Sequence, residues 1–220
     1  YFAFVHYFDA HFPYTPPAPW DSAYDPDYTG RLTGSDADLR AYRDGDAVPS
    51  ERDLEHILAL YDGEISALDA ELKDLLDALG PDVIVAITSD HGESFEHDYY
   101  FNHRAALWDS VIRVPLIIRA PDALAGTRVD SQVGLMDLTP TLLELAGLQR
   151  DRRMQGQSLT TFAEGGSQQQ WRQRVYSITD PWMPEPQFAV RTLQEKVIEQ
   201  EDRTLVYDLL ADPAEESPKM

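Results

Sequence analysis

Val83-Ile84-Val85-Ala86-Ile87-Thr88 is apolar without alternation and runs straight into Ser89-Asp90-His91-Gly92-Glu93. An alternating strand has one wet face. A run without alternation is buried on both, as in a parallel sheet covered by helices. Polar residues directly after such a strand lie at its carboxyl end, where open α/β sheets bind ligands. The pattern predicts a strand over 83–88 with Asp90 and His91 at a site.

The flanking segments extend this reading. Leu54, Ile57, Leu58, Tyr61, Ile65, Leu68, Leu72, Leu75, Leu76 and Leu79 recur at helical spacing and predict a long helix. Ser50 and Asp53 form a capping pair at its start, and Gly80-Pro81 closes it. Val114-Pro115-Leu116-Ile117-Ile118 reads as a second buried strand, with Pro115 tolerated near its beginning. Thr139-Pro140 opens a short helix carrying Leu142, Leu143 and Leu145, and Gly147 ends it. Strand, helix, strand, helix with buried strands is an α/β signature.

The ends of the chain differ in character. Tyr1–Phe8, rich in aromatic and β-branched residues, predicts a strand entered midway. A Pro-, Tyr- and Asp-rich irregular region follows to about Asp46. After Gly147 the chain turns polar, with a linker or loop at 165–170. The segments 188–192, 196–198 and 204–207 predict a small antiparallel β-unit. The expected division is 1–160 for the α/β part and 161–220 for a small α+β subdomain.

Composition removes several function classes. The formal net charge is −21, so a nucleic-acid partner is excluded for want of a basic surface. No run of 18 apolar residues exists to span a membrane. There is no Cys, hence no disulfide, thiolate-bound zinc or thiol nucleophile in these residues. The 25 Asp against 3 Lys suit either a salt-tolerant surface or an ordinary acidic protein. The start carries neither an initiator Met nor a signal peptide, and an upstream part is expected. Compartment and oligomeric state are not readable.

Asp90 offers a hard carboxylate oxygen and His91 an imidazole nitrogen, a usual pairing for a divalent metal. Asp90 could equally cap a turn beside an ordinary His91. His97 and His103 follow in a loop, and His11 lies just after the first expected strand. Histidines there could hold an anionic group, although each alone also reads as a surface residue.

Several segments taken together resemble the sulfatase family of the alkaline-phosphatase superfamily, in the family's order. They are Val5-His6-Tyr7-Phe8-Asp9-Ala10-His11-Phe12-Pro13-Tyr14, the helix with Tyr61, Glu64, Ile65 and Asp69, and Ile87–Glu93 continuing through His103 to Arg113–Ile118. Asp137–Gly147 and the tail 190–215 complete the set. The resemblance implies a mixed, mostly parallel sheet flanked by helices, with a small C-terminal antiparallel β-subdomain and the N-terminal part of the fold missing. It also implies hydrolysis of the sulfate monoester of a small molecule or carbohydrate. Asp90 and His91 match the second pair of ligands to one divalent metal, most often Ca2+ in the family. Mn2+, Mg2+ or Zn2+ are also open because of His91. His11 matches the residue that contacts the sulfate oxygens, and His103 a basic residue near the leaving-group oxygen, so both are candidate catalytic and substrate-binding residues.

The family's first Asp pair and its Cys- or Ser-x-Pro-x-Arg motif, source of the formylglycine nucleophile, do not occur in this sequence. Residues 1–220 alone are therefore expected to be inactive. The rival readings are a phosphodiesterase, phosphonate hydrolase or phosphoglycerol transferase of the same superfamily, and a non-catalytic binding module.

Overall fold

The computed structural model describes residues 1–121, 126, 128–163 and 171–219. The linker expected at 165–170 lies outside the described residues. The chain divides into two compact units: Tyr1–Gly80 with Glu93–His103, and Pro81–Gly92 with Arg104–Met220.

The first unit is organised by a 29-residue helix. After α1 (Asp36–Arg43) comes α2 (Glu51–Leu79), whose N-cap Ser50 accepts a hydrogen bond from the Asp53 amide. Gly80 ends it at φ 73, a conformation glycine adopts without strain. Its buried stripe is His56, Ile57, Leu60, Gly63 and Glu64, narrower than the apolar pattern foretells. Leu58 and Ile65, expected on that stripe, are exposed. Against it packs a cluster of Phe12, Tyr14, Leu39, Ile57, Leu60 and Phe101. Phe101 arrives on a hairpin, β2 (Ser94–Glu96) and β3 (Tyr99–Asn102), joined by the two residues His97 and Asp98 at φ 60 and 55. Positive φ at both central residues matches the twist of a tight hairpin. Gly34 is required for another reason: a Cβ there would come within 1.9 Å of the Tyr14 carbonyl oxygen.

Asp25 ties the irregular region to α2, receiving hydrogen bonds from Arg52 at 2.6 Å and His56 Nδ1 at 2.8 Å. Tyr28 stacks on His56, with ring centroids 3.6 Å apart and planes 6° from parallel. The region holds α1, which sequence reading left irregular because an eight-residue helix with one buried side chain, Leu39, has little apolar period to show. Residues 1–8 form no strand. A strand exists only with a ladder partner, and Tyr1, Phe2, Phe4 and Phe8 are exposed.

In the second unit β1 (Val85–Thr88) pairs with β4 (Leu116–Arg119), Val85 facing Arg119 and Thr88 facing Leu116. The pair is antiparallel and half-buried, whereas unbroken hydrophobicity suggested parallel, fully buried strands. The described residues contain no parallel pair. Between them lies α3 (Asp109–Ile112). A 3-10 turn at Leu135–Asp137 leads into α4 (Leu138–Leu145), the expected Pro140 helix, and α5 spans Thr160–Ala163. The tail forms a four-stranded antiparallel meander of β5 (Val175–Ile178), β6 (Phe188–Arg191), β7 (Glu195–Glu199) and β8 (Thr204–Asp208). This is the antiparallel unit expected, with β5 added. Its inner face buries Ala189, Ile198, Leu205 and Tyr207 with Leu107.

Lys196 on β7 is wholly buried. Its ammonium lies 2.6 Å from Asp109 Oδ1, 2.7 Å from Glu215 Oε1 and 3.0 Å from the Leu107 carbonyl. Arg191 adds three guanidinium bonds to Asp109, from Nε to both oxygens and from Nη2 to Oδ2. Burial pushes the Asp109 carboxyl up, but Arg191 and Lys196 outweigh it and hold the group below its ordinary value. The cluster clamps the segment before α3 to the sheet. Lys196→Met would leave Asp109 and Glu215 buried without their shared cation. A loss of about 3–5 kcal/mol is expected in urea unfolding of the intact protein, whereas Lys73→Met, at an exposed position on α2, should leave the midpoint unchanged.

Candidate functional site

The expected site residues fall in both units, His11 and His103 in the first and Asp90 and His91 in the second. In the first unit His11 and His103 come together, their ring centroids 5.2 Å apart and planes at 66°. His11 follows the Phe8 ring, 4.4 Å away, and precedes the buried Phe12. His103 follows β3. Arg43 lies over the Phe12 ring at 4.7 Å, so the loop bearing His11 is gripped from below by the aromatic cluster.

The tautomers follow from the partners. His11 Nδ1 is 2.7 Å from the Phe12 carbonyl oxygen. A carbonyl only accepts, so Nδ1 carries the proton and Nε2 is the basic nitrogen. His103 Nδ1 meets Glu93 Oε1 at 3.1 Å. Glu93 Oε2 accepts from the Tyr14 hydroxyl at 2.9 Å. Tyr14 is completely buried, and its phenol is held well above the ordinary range by burial first and by the Glu93 charge second. It remains a hydrogen-bond donor at any physiological pH.

Glu64 on α2 is 6% exposed and receives the Thr15 amide on Oε1 at 2.8 Å. Its Oε2 is buried without a hydrogen-bond partner among the described residues. Burial, with a smaller contribution from the Asp9 charge, pushes its pKa up to about 7.

In the second unit Asp90 and His91 lie just past β1. His91 Nδ1 is 2.7 Å from the Gly92 carbonyl, which again leaves Nε2 as the basic nitrogen. That nitrogen is 3.8 Å from Asp90 Oδ1. Asp90 is exposed and His91 half-buried. One carboxylate oxygen and one imidazole nitrogen turned toward the same space are a donor set that fits a divalent cation. Gly92 packs closely on the segment at 110–111: its amide donates to the Val111 carbonyl at 2.7 Å, and a Cβ would stand 2.1 Å from the Ser110 oxygen.

The comparisons with known proteins decide the family. The sulfatase family model matches residues 1–148, and the model for the C-terminal part of N-sulphoglucosamine sulphohydrolase matches 95–218. The chain belongs to the sulfatase family. Arylsulfatase K of Rattus norvegicus is 30% identical over 185 residues, 76% of this chain and 32% of its own length. A sulfatase of Formosa agariphila is 32% identical over 166 residues, 72% of this chain and 31% of its own. The chain thus spans about a third of these relatives. Among solved structures, the phosphonate monoester hydrolase of Silicibacter pomeroyi superposes with a TM-score of 0.74 at 23% identity, covering 93% of this chain and 51% of that one. A 2-O GAG sulfatase gives 0.71 at 23%, covering 82% and 41%. These two likenesses establish the α/β sulfatase-like fold. The family is metal-dependent. No helix among the described residues is long and apolar enough to cross a membrane.

Sequence reading assigned no role to Glu93, Tyr14 or Glu64, although all three lie in family-like segments. Acidic residues in apolar surroundings were the available signal: Glu64 sits between Gly63 and Ile65, and Glu93 between Gly92 and Ser94-Phe95. Glu64 also sets a pH dependence. Its folded pKa, about 7, exceeds the ordinary 4.5. Its contribution to stability is then fully present below pH 4.5 and is lost as pH rises through 7. Glu64→Gln is expected to flatten the melting temperature of the intact protein across that interval. An unchanged slope would assign the pH dependence elsewhere.

Proposed function

We propose that the full-length protein containing this chain hydrolyses sulfate monoesters, with carbohydrate sulfates as the leading substrate class. The observation that carries the reading is the His11–His103 pair, two imidazoles 5.2 Å apart whose basic nitrogens are both Nε2 by virtue of their Nδ1 partners. A solved relative bound to its substrate, D-glucosamine-2-N,6-O-disulfate, superposes with a TM-score of 0.61 at 24% identity and supports the substrate class.

In this reading both rings work as imidazolium ions, which carry a proton on Nε2 as well as on Nδ1, and His11 donates from Nε2 to an oxygen of the sulfate group. His103 delivers a proton from Nε2 to the bridging oxygen as the alcohol leaves, which avoids expelling an alkoxide. Asp90 and His91 would hold one divalent cation. A cation held there would supply Lewis acidity to ester hydrolysis. Calcium takes oxygen ligands and imidazole suits later divalent metals, so His91 favours zinc over calcium. The nucleophile, formylglycine by family resemblance, would come from outside residues 1–220, which hold no Cys and no Ser-x-Pro-x-Arg.

The phosphonate monoester hydrolase of Agrobacterium radiobacter, 27% identical with a TM-score of 0.67, supports phosphoryl chemistry as the second reading. The full-length enzyme assayed on sugar sulfates, 4-nitrophenyl sulfate and a phenylphosphonate monoester separates the two. Sulfate ester turnover should dominate, disappear on chelation and return with added divalent metal. His11→Ala should lower kcat/KM by about 100-fold or more. Faster turnover of the phosphonate would sink the sulfatase reading.

A further inference from the structure

Glu93 is a buried carboxylate, its side chain 3% exposed, with hydrogen-bond donors on both oxygens. Tyr14 Oη–H donates to Oε2 at 2.9 Å, and His103 Nδ1 lies 3.1 Å from Oε1. Tyr14 is itself immobilised. It is wholly buried, edge-on to Tyr61 at 5.5 Å and to Phe12 at 6.0 Å, and tilted against Phe95 at 5.7 Å. Its amide donates to the Gly34 carbonyl at 3.0 Å. The chain of contacts from aromatic core to phenol to carboxylate to imidazole contains no exposed member before His103.

We infer that Glu93 is a positioning residue for His103, with Tyr14 as its anchor. The inference rests on the sulfatase reading given above, which makes His103 the proton donor to the leaving alcohol.

An imidazole can present Nε2 as the proton-transferring atom only if Nδ1 is occupied and the ring is held from rotating. Glu93 does both through one bond, its Oε1 facing Nδ1 at 3.1 Å. Its second oxygen would otherwise be an unsatisfied buried acceptor, and Tyr14 satisfies it. With both oxygens engaged the carboxylate cannot swing, so the His103 ring plane is set by the position of Tyr14 in the core. Glu93 touches no reacting atom, and its effect passes through His103. That effect should grow as the leaving alcohol becomes more basic, since a good leaving group departs without protonation.

Two measurements on the full-length enzyme test this. The first compares Glu93→Gln with wild type on an alkyl sugar sulfate and on 4-nitrophenyl sulfate. The expected result is a fall in kcat of about 10- to 100-fold on the alkyl ester, the range for loss of an orienting partner. On the nitrophenyl ester the fall should be several times smaller. Tyr14→Phe, which keeps the ring in the core, should give a weaker loss with the same bias. Equal losses on both esters would mean a merely structural role and overturn the inference. The second measurement, 15N NMR of the wild-type histidines, does not depend on activity or on variant folding. It should find His103 protonated at Nδ1, and the lone Nε2–H form overturns the inference. Wild-type enzyme without turnover of any sulfate ester would instead sink the sulfatase reading, the NMR result still deciding whether Glu93 sets the His103 ring.

Discussion

A carboxylate removed from water must find donors for both oxygens or it destabilises the fold. In the first unit Glu93 meets that requirement with one group from the core and one from the candidate site. The Tyr14 hydroxyl comes up out of the aromatic cluster, and the imidazole of His103 comes down from the end of β3. The packing that stabilises α2 against the β2–β3 hairpin therefore fixes the angle of the His103 ring as well. Gly34 belongs to the same constraint. With a side chain there the Tyr14 backbone could not approach, and the phenol would lose its aim. Core packing and site geometry are one problem in this unit.

The histidines show a second regularity. His11 gives its Nδ1 proton to the carbonyl of Phe12, the next residue, and His91 gives its own to the carbonyl of Gly92, also the next. His103 finds a side chain instead. The first two solutions need only local backbone and cost little sequence. The third needs Glu93 ten residues away and Tyr14 beyond it. In each case the protein leaves Nε2 as the basic nitrogen. That nitrogen can bind a metal, receive a hydrogen from a substrate or pass a proton, while a ring free to choose its tautomer would divide its population between the two forms.

Much of this was legible in the residues. The long helix, its Ser50 cap and its Gly80 stop follow from spacing and end signals, as do the Pro140 helix and the C-terminal meander. Burial was less legible. Ile65 and Leu58 fit the helical period yet are exposed, because the period says which residues share a face but not where a partner surface ends. The β2–β3 hairpin escaped notice because its turn is His97-Asp98, not an Asn-Gly pair, and its aromatic strands sit among polar residues. The pairing of β1 with β4 could not be foreseen either, since unbroken hydrophobicity reports burial and says nothing of strand direction. For the site, single residues were visible but their partners were not. Nothing in one sequence relates Tyr14 to Glu93, 79 residues apart.

Electrostatics closes the account. The anionic substrate proposed above stands against a net charge of −21. Exposed charges are screened beyond about 8 Å at physiological ionic strength, so the acidic surface governs solubility more than binding. What matters to an anion is the field over the last few ångströms, and the first unit sets imidazole nitrogens there. Glu93, the carboxylate that meets His103, is tied on both oxygens and buried. Lysine follows the same economy. The chain has 3 Lys, and one of them, Lys196, is buried against Asp109 and Glu215, where it serves the fold. Lysine is thus scarce, and in the proposed reading the sulfate group meets the short, fixed side chains of His11 and His103. A site of that kind depends on the exact orientation of a few rings, which places the burden of specificity on the residues beneath them.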